Sequence, residues 1–418
     1  MLLETLSEHV LVSPPMNNLA VAYDTTILLP RYSTFKSGLA RVAEEMFRAL
    51  IGRADVGITP VSVCGSDLFA DALAVEEYAR EQGMATLSPV KSRLGLAPLY
   101  RRAFKHGGFA LSLAYRLTHT LKLDSLSSSL DGFHVFHSSY FKLPARDVTR
   151  HAERFLTVYD LIPLDAPHFV TPDSTDFFRE IIRSVDTQRD WVLCISEHAR
   201  QTFCEFTGMS PARAFVTHLA AASHFAPQNA ENVRRARLKY GVPEGEYFLS
   251  VGDIQPRKNI SRVIRCFERV RREAPDISFL HAGATYIESD EREQRDVIFT
   301  GHIPDGDLAA LYSGATALLF PSLYEGFGLP VLEAMQCGAP VITSNTTSLP
   351  EVAGDAAILI NPTDEDALCQ SMLDLLRDES LRLKLRRKGL ARAALFSWER
   401  CADLTLAAYQ QALTLKSL

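Results

Sequence analysis

Apolar residues along this chain gather in short unbroken runs, and between the runs they recur at every third or fourth position. Tyr247-Phe248-Leu249-Ser250-Val251, Ile277-Ser278-Phe279-Leu280, Val297-Ile298-Phe299 and Ala315-Thr316-Ala317-Leu318-Leu319-Phe320 are runs of the first kind, as are Pro340-Val341-Ile342 and Ala357-Ile358-Leu359-Ile360. Runs without polar alternation predict strands buried on both faces, as in parallel sheets. Ile260, Val263, Ile264, Phe267 and Val270 share one helical face, so a helix is predicted from about Asn259. Asp305 is read as the N-cap of a helix through Tyr312. Pro330 suits a first helical turn and starts another helix near Leu329.

The first half repeats the pattern less regularly. Leu19-Ala20-Val21-Ala22-Tyr23 reads as a first strand, and residues 38–50 as a helix that buries Val42, Met46, Phe47 and Leu50. Phe133-His134-Val135-Phe136, Phe155-Leu156-Thr157-Val158 and Trp191-Val192-Leu193-Cys194-Ile195 read as further strands. The polar segment 228–246 reads as a boundary, and 398–413 as a final amphipathic helix. Strand–helix alternation predicts an α/β fold with doubly wound parallel sheets. At 418 residues the chain exceeds one ordinary core, so two such domains are expected. Their ligands would lie beyond the carboxyl ends of the strands, in the cleft between the sheets.

Composition narrows the class. A net charge of −6 gives no general reason to expect nucleic-acid binding. The seven cysteines are odd in number and form no Cys-x-x-Cys, which argues against a disulfide framework or zinc site and for reduced thiols in the cytosol. No apolar run approaches the ~20 residues of a membrane span. The acidic, mixed N-terminus does not read as a signal peptide.

The strongest chemical signal is Glu325-Gly326-Phe327-Gly328-Leu329-Pro330 followed by Glu333. It sets two carboxylates on either side of a glycine turn that opens a helix. Free N–H groups at such a start attract phosphate. Carboxylates repel phosphate but accept hydrogen bonds from hydroxyl pairs, as on ribose and hexose. The combination describes a nucleotide-sugar pocket. A second signal is Gly252-Asp253-Ile254-Gln255-Pro256-Arg257-Lys258-Asn259, which leaves a strand and carries cations able to stabilise charge on a departing phosphate.

These stretches resemble the retaining family-4 glycosyltransferases of GT-B fold, whose pattern is Glu, seven residues, Glu, with Gly-Phe-Gly-Leu-Pro inside it. The resemblance runs on through Phe299-Thr300-Gly301-His302-Ile303, Glu333-Ala334-Met335-Gln336-Cys337-Gly338-Ala339-Pro340, Ser348-Leu349-Pro350-Glu351-Val352 and Gly354-Asp355-Ala356-Ala357. It covers the second half and islands of the first. It implies an N-terminal acceptor-side domain over 1–230 and a nucleotide-sugar domain over 245–396. Residues 397–418 would form a helix that crosses back onto the N-terminal domain.

The resemblance also assigns roles. Lys258 matches the family's diphosphate-clamping lysine. Many members carry an arginine just after the glycine, where this chain has Asp253, so Arg257 becomes the second cation. Glu325 would serve the transferred sugar and Glu333 the ribose. Gly326, Phe327, Gly328 and Leu329 would form the donor loop, Gly38 would let backbone approach the donor phosphate, and Ile303 would lie near the base. His137 matches a sugar-facing histidine of several members. Asp160 falls in Tyr159-Asp160-Leu161-Ile162-Pro163, where many members have histidine in place of Tyr159, and would hold a hydroxyl. His134 and His137 form His-x-x-His, but no third ligand follows, so neither metal nor cofactor is expected.

The implied function is retaining transfer of a hexose, mannose first, from a nucleotide sugar to a polysaccharide or lipid-linked glycan. GDP-mannose is the first donor, with UDP- or dTDP-sugars as alternatives. Another GT-B enzyme, such as a nucleotide-sugar epimerase or phosphorylase, and an inactive nucleotide-sugar-binding protein also remain open. From 82 to 123 the chain has no acid, but Lys91, Arg93, Arg101, Arg102, Lys105, Arg116 and Lys122 are interleaved with Tyr100, Phe104, Phe109 and Tyr115. Such a stretch can either rest on an anionic membrane or cover the N-terminal sheet as a helix pair. The first reading adds a peripheral seat on the inner membrane face to a cytoplasmic location.

Overall fold

The computed structural model describes residues 19–29, 38–62, 74–75, 77–80, 83, 90–92, 124–126, 130–283 and 297–416. Apart from Gly83 and Val90–Ser92, the basic stretch 82–123 lies outside the described residues.

Two six-stranded parallel sheets dominate the chain. The first comprises β1 (Leu19–Asp24), β2 (Val56–Val61), β5 (Val135–Ser138), β6 (Glu153–Val158), β7 (Trp191–Cys194) and β8 (Ala214–Val216). Its order is β2-β1-β5-β6-β7-β8. A small antiparallel pair, β3 (Val90–Ser92) and β4 (Asp124–Leu126), falls between β2 and β5 in sequence. The second sheet comprises β9 (Glu246–Val251), β10 (Ile277–Ala282), β11 (Val297–Gly301), β12 (Ala317–Phe320), β13 (Val341–Ser344) and β14 (Ile358–Ile360), in the order β11-β10-β9-β12-β13-β14. Every residue of β5, β7, β10, β12 and β13 is buried, which explains their unbroken apolar runs.

The strand orders place the site. The chain reverses direction across each sheet at β1/β5 and at β9/β12. Such switch points open a crevice beyond the strand ends. The segments after β9 and β12 carry Arg257, Lys258 and Glu325, so one crevice gathers them. One apolar cluster runs through both halves, from Val21 and Phe155 through Ile195 and Phe327 to Leu249 and Phe320.

The polar segment 228–246 is not a bare linker. Asn229 Oδ1 accepts from Asn232 N at 2.9 Å and caps the helix Ala230–Lys239. Only Ala236 of that helix is buried, which is why the segment reads as polar. Lys239 Nζ and Asp307 Oδ2, 2.5 Å apart, tie it to the helix Asp305–Gly314. Asp305 is the first residue of that helix, after Pro304, rather than its N-cap. Its carboxylate is drawn instead to Arg41 (3.3 Å) and His224 (3.2 Å). The last described helix, Trp398–Lys416, lies against the helix Gly38–Ile51 and β6. There the Tyr409 ring sits edge-on to Phe155 at 4.8 Å.

Candidate functional site

The cluster at the β9/β12 crevice is built by backbone devices. After β9 the chain turns through Pro256–Lys258 and enters the helix Ile260–Arg271 by way of Asn259, at φ 62°. Asparagine tolerates that left-handed conformation better than most residues. Its amide donates to Pro321 O (3.0 Å) and Pro362 O (2.8 Å), which fixes the turn to the strand ends beside it. Leu323 N donates to Arg257 O at 2.7 Å. Lys258 and Arg257 are thereby aimed at the segment that carries Glu325.

Glu325 is 8% exposed, and its Oε1 lies 2.6 Å from Lys258 Nζ and 3.0 Å from Arg257 Nη1. Burial alone would raise its pKa, but the two cations outweigh burial and hold the carboxyl below its ordinary range. Burial lowers the Lys258 pKa, although Glu325 opposes it. Lys258 Nζ also stands 4.5 Å from the Phe320 ring centroid. The result is a compact charged triad at the switch point.

The glycine turn beyond it is sterically required. A Cβ on Gly326 would meet Tyr159 O at 2.5 Å and Asp160 Cβ at 2.8 Å, so only glycine lets the two halves approach there. Gly328 has φ 113°, and a Cβ on it would meet Leu349 Cδ2 at 2.7 Å. Ser348 Oγ donates to both Glu325 O and Phe327 O at 2.9 Å. The helix Leu329–Gln336 follows, with Glu333 one turn inside it. Glu333 is 7% exposed and accepts from Tyr312 OH at 3.2 Å. Burial pushes its pKa up to about 7, against the pull of Arg41 and Tyr312.

The remaining predicted residues divide. Asp160 faces the triad from the N-terminal half, where its Oδ1 accepts from Ile162 N at 3.0 Å. Burial raises its pKa, while Ile162 N and Arg257 pull it down. Gly38 is exposed at the start of the helix Gly38–Ile51, and a Cβ there would meet nothing within 4 Å. The described protein therefore gives no steric reason for glycine at that point. Leu329 is half-buried, whereas Phe327 and Ile303 are buried in the shared core. Phe327 packs edge-on to Phe396 at 6.0 Å.

His137 is not brought to the triad. It is fully buried, with Nδ1 2.5 Å from Tyr409 OH and Nε2 2.7 Å from Thr157 Oγ1. Burial lowers its pKa to about 3, so it is neutral. His134 Nδ1 is likewise occupied, by Ala20 N at 3.0 Å. Among the described residues no group of three or more His, Cys, Asp or Glu side chains is placed to hold a metal ion.

Sequence reasoning gave no role to two residues that bridge the halves. Arg41, on the first helix, reaches Glu333 Oε1 at 3.7 Å and Asp305 Oδ1 at 3.3 Å. Its signal was a lone cation one turn after Gly38. Glu351 accepts from Glu197 N (2.7 Å) and His198 N (3.4 Å) at the start of the helix Glu197–Thr207. His218 Nε2 lies 2.6 Å from the same carboxylate. Ser196, the N-cap of that helix, accepts from Ala199 N at 3.1 Å and also donates to Gly326 O at 2.8 Å.

Comparison with known proteins bears on this arrangement. Residues 233–392 match the family model of the glycosyl transferases group 1. The chain is 33% identical over 308 residues to O-antigen chain mannosyltransferase B of Escherichia coli, covering 71% of this chain and 79% of that protein. It is 29% identical over 216 residues to the GDP-mannose-dependent alpha-(1-6)-phosphatidylinositol monomannoside mannosyltransferase of Mycolicibacterium smegmatis, covering 48% of this chain and 56% of the relative. In structure it resembles a sucrose-phosphate synthase from Thermosynechococcus elongatus, with TM-score 0.62 and 18% identity over 95% of this chain and 99% of the other, a likeness of fold.

Proposed function

The chain belongs to the group 1 glycosyl transferases, hexosyltransferases of GT-B fold, and from that premise we propose that it moves mannose from GDP-mannose, with retention, to a hydroxyl of a polysaccharide or lipid-linked glycan. The observation that carries the reading is the Arg257–Lys258–Glu325 triad at the β9/β12 switch point. The GDP-mannose dependence named for the Mycolicibacterium smegmatis relative supports the choice of donor.

In this reading Glu333 accepts the ribose hydroxyls, and Arg257 and Lys258 turn from Glu325 to the diphosphate. Glu325 then holds hydroxyls of the transferred sugar. The bond from the anomeric carbon to phosphate oxygen breaks as the acceptor oxygen bonds to the same face. The acceptor proton passes to the departing phosphate oxygen, so no separate strong base is needed. Arg257 and Lys258 offset the charge that grows on the β-phosphate, an interaction stronger in the transition state than in the ground state. His137, with both nitrogens occupied, takes no part in bond making and braces β5 against the final helix.

Melting the protein with GDP, UDP, dTDP and ADP tests the donor. A ligand at a hundred times its dissociation constant stabilises by about 2.7 kcal/mol. GDP should raise the melting temperature most, and GDP-mannose should then support transfer to a mannoside acceptor. A selective response to UDP or dTDP would overturn the donor. Release of free hexose with no transfer to any glycan would overturn the transferase.

A further inference from the structure

A row of aromatic rings leads from the surface of the N-terminal half inward past a cavity that Asp160 lines. Phe177, on the helix Pro172–Arg183, is 43% exposed. Its ring centroid lies 6.1 Å from that of Tyr140, which lies 6.2 Å from that of Tyr159, the residue before Asp160. Beside the row is a cavity of about 230 Å³. Tyr140, Phe178 and Ile181 line it from one half, Gln255 and Arg257 from the other, and Asp160 stands where they meet.

We propose that this cavity and ring row form a saccharide subsite. The acceptor's terminal sugar would sit in the cavity with a hydroxyl bonded to Asp160, and the preceding sugars would lie over Tyr140 and Phe177. The proposal rests on the transferase reading and deepens it by naming the acceptor's chemistry. A pyranose has an apolar C–H face and a rim of hydroxyls. Aromatic rings fit the first, and a carboxylate opposite a guanidinium fits the second. A hydrocarbon chain would match the aliphatic wall alone. It would strip water from Asp160 and Arg257 and give them no hydrogen bond in return. The row also gives direction, because its middle ring, Tyr140, shares the cavity with Asp160, whose carboxylate feels the charges of Arg257 and Glu325.

Ligand-observed NMR on the nucleotide-free full chain tests this without a donor. The probes are soluble manno-, gluco- and galacto-configured trisaccharides, their monosaccharide methyl glycosides, and an alkyl phosphate without sugar. At least one trisaccharide should bind the parent. Phe177→Ala, at an exposed position, should weaken that trisaccharide by about three- to tenfold, the worth of one aromatic contact. It should leave the monosaccharide unchanged, whereas Asp160→Asn should weaken both. Under transfer conditions Phe177→Ala should raise KM for the trisaccharide and keep kcat. The response to GDP should equal the parent's, so failure of the donor reading would show separately. Lack of binding by the parent, equal binding by Phe177→Ala, or displacement of the trisaccharide by the alkyl phosphate would overturn the subsite.

Discussion

Replacing Glu325 by glutamine keeps the shape of the side chain and removes its charge. In the parent, Oε1 holds Lys258 Nζ at 2.6 Å and Arg257 Nη1 at 3.0 Å, with the carboxylate 8% exposed. The amide would leave two partly buried cations facing each other. Breaking a buried ion pair from one side costs about 3–5 kcal/mol. Glutamine still offers a carbonyl, so the low end, about 3 kcal/mol, applies. At roughly 2–4 °C per kcal/mol for a domain of this size, the melting temperature should fall by about 6–12 °C. Burial already lowers the Lys258 pKa. Without Glu325 the lysine gives up its proton more readily, and the deficit should shrink as pH rises. Turnover should fall at least about tenfold from the lost charged acceptor, and more than nucleotide affinity does. Melting curves followed by circular dichroism at several pH values, beside transfer assays, separate the two effects. The triple variant Arg257→Met, Lys258→Met and Glu325→Leu should recover most of the stability and none of the turnover, because apolar groups replace a whole buried charge cluster at little net cost. A Glu325→Gln protein that melts within about 2 °C of the parent and transfers at the parental rate would refute the reasoning.

Other expectations follow from the same cleft. Glu333, pushed up to about 7, favours the folded state at pH below its ordinary 4.5 and loses that contribution as pH rises through 7, whereas ribose recognition by its carboxylate strengthens over the same rise. Calorimetric GDP affinity should therefore improve from about pH 6 to pH 8 beyond the nucleotide's own titration. Glu333→Gln should lose that component and Glu333→Ala should bind at least about tenfold more weakly, and parallel parent and glutamine profiles would count against the ribose contact. Lys258→Ala should cut turnover strongly and Arg257→Ala less, with little effect of EDTA. EDTA inactivation reversed by magnesium or manganese would refute a clamp of side-chain cations. If the basic stretch 82–123 docks on membrane, charge reversal at Arg101, Arg102 and Lys105 should release the protein from anionic vesicles in sedimentation, at about 1 kcal/mol per residue. Transfer to a short soluble acceptor should survive, and a parent that never binds vesicles would end the idea.

Sheet class and most strand positions were legible because buried parallel strands leave unbroken apolar runs, as at Ala317–Phe320, whereas the partly exposed edge strands β2 and β8 were not read. The Glu325–Glu333 turn was legible because sterics allow few other residues where Gly326 meets Tyr159. The partners of these groups were not. Nothing local announces that Arg41 reaches Glu333, 292 positions away, or that Glu351 crosses to His198, 153 positions away. Asp305 misled for the same reason, since cap statistics are local and its carboxylate answers to Arg41 and His224. His137 follows a strand, where ligands gather, yet a tyrosine 272 positions downstream occupies its ring.

That last separation bears on how the chain is made. Ribosomes add about 5–20 residues per second, and N-terminal domains ordinarily fold first. Here the first sheet's own interior lacks Tyr409, which sits edge-on to Phe155 and meets His137, until 272 further residues have been added, a delay of roughly 15–50 s. During that interval the nascent sheet exposes an unfilled apolar seam, an invitation to chaperones and to wrong pairings. Protease protection of 130–200 on stalled nascent chains should therefore rise only once Tyr409 has left the exit tunnel, and early protection would show that the seam closes without it. A chain cut at 228–246 should not yield a sound first half unless 398–416 is supplied in trans, which makes this protein a poor subject for halving and a natural one for complementation.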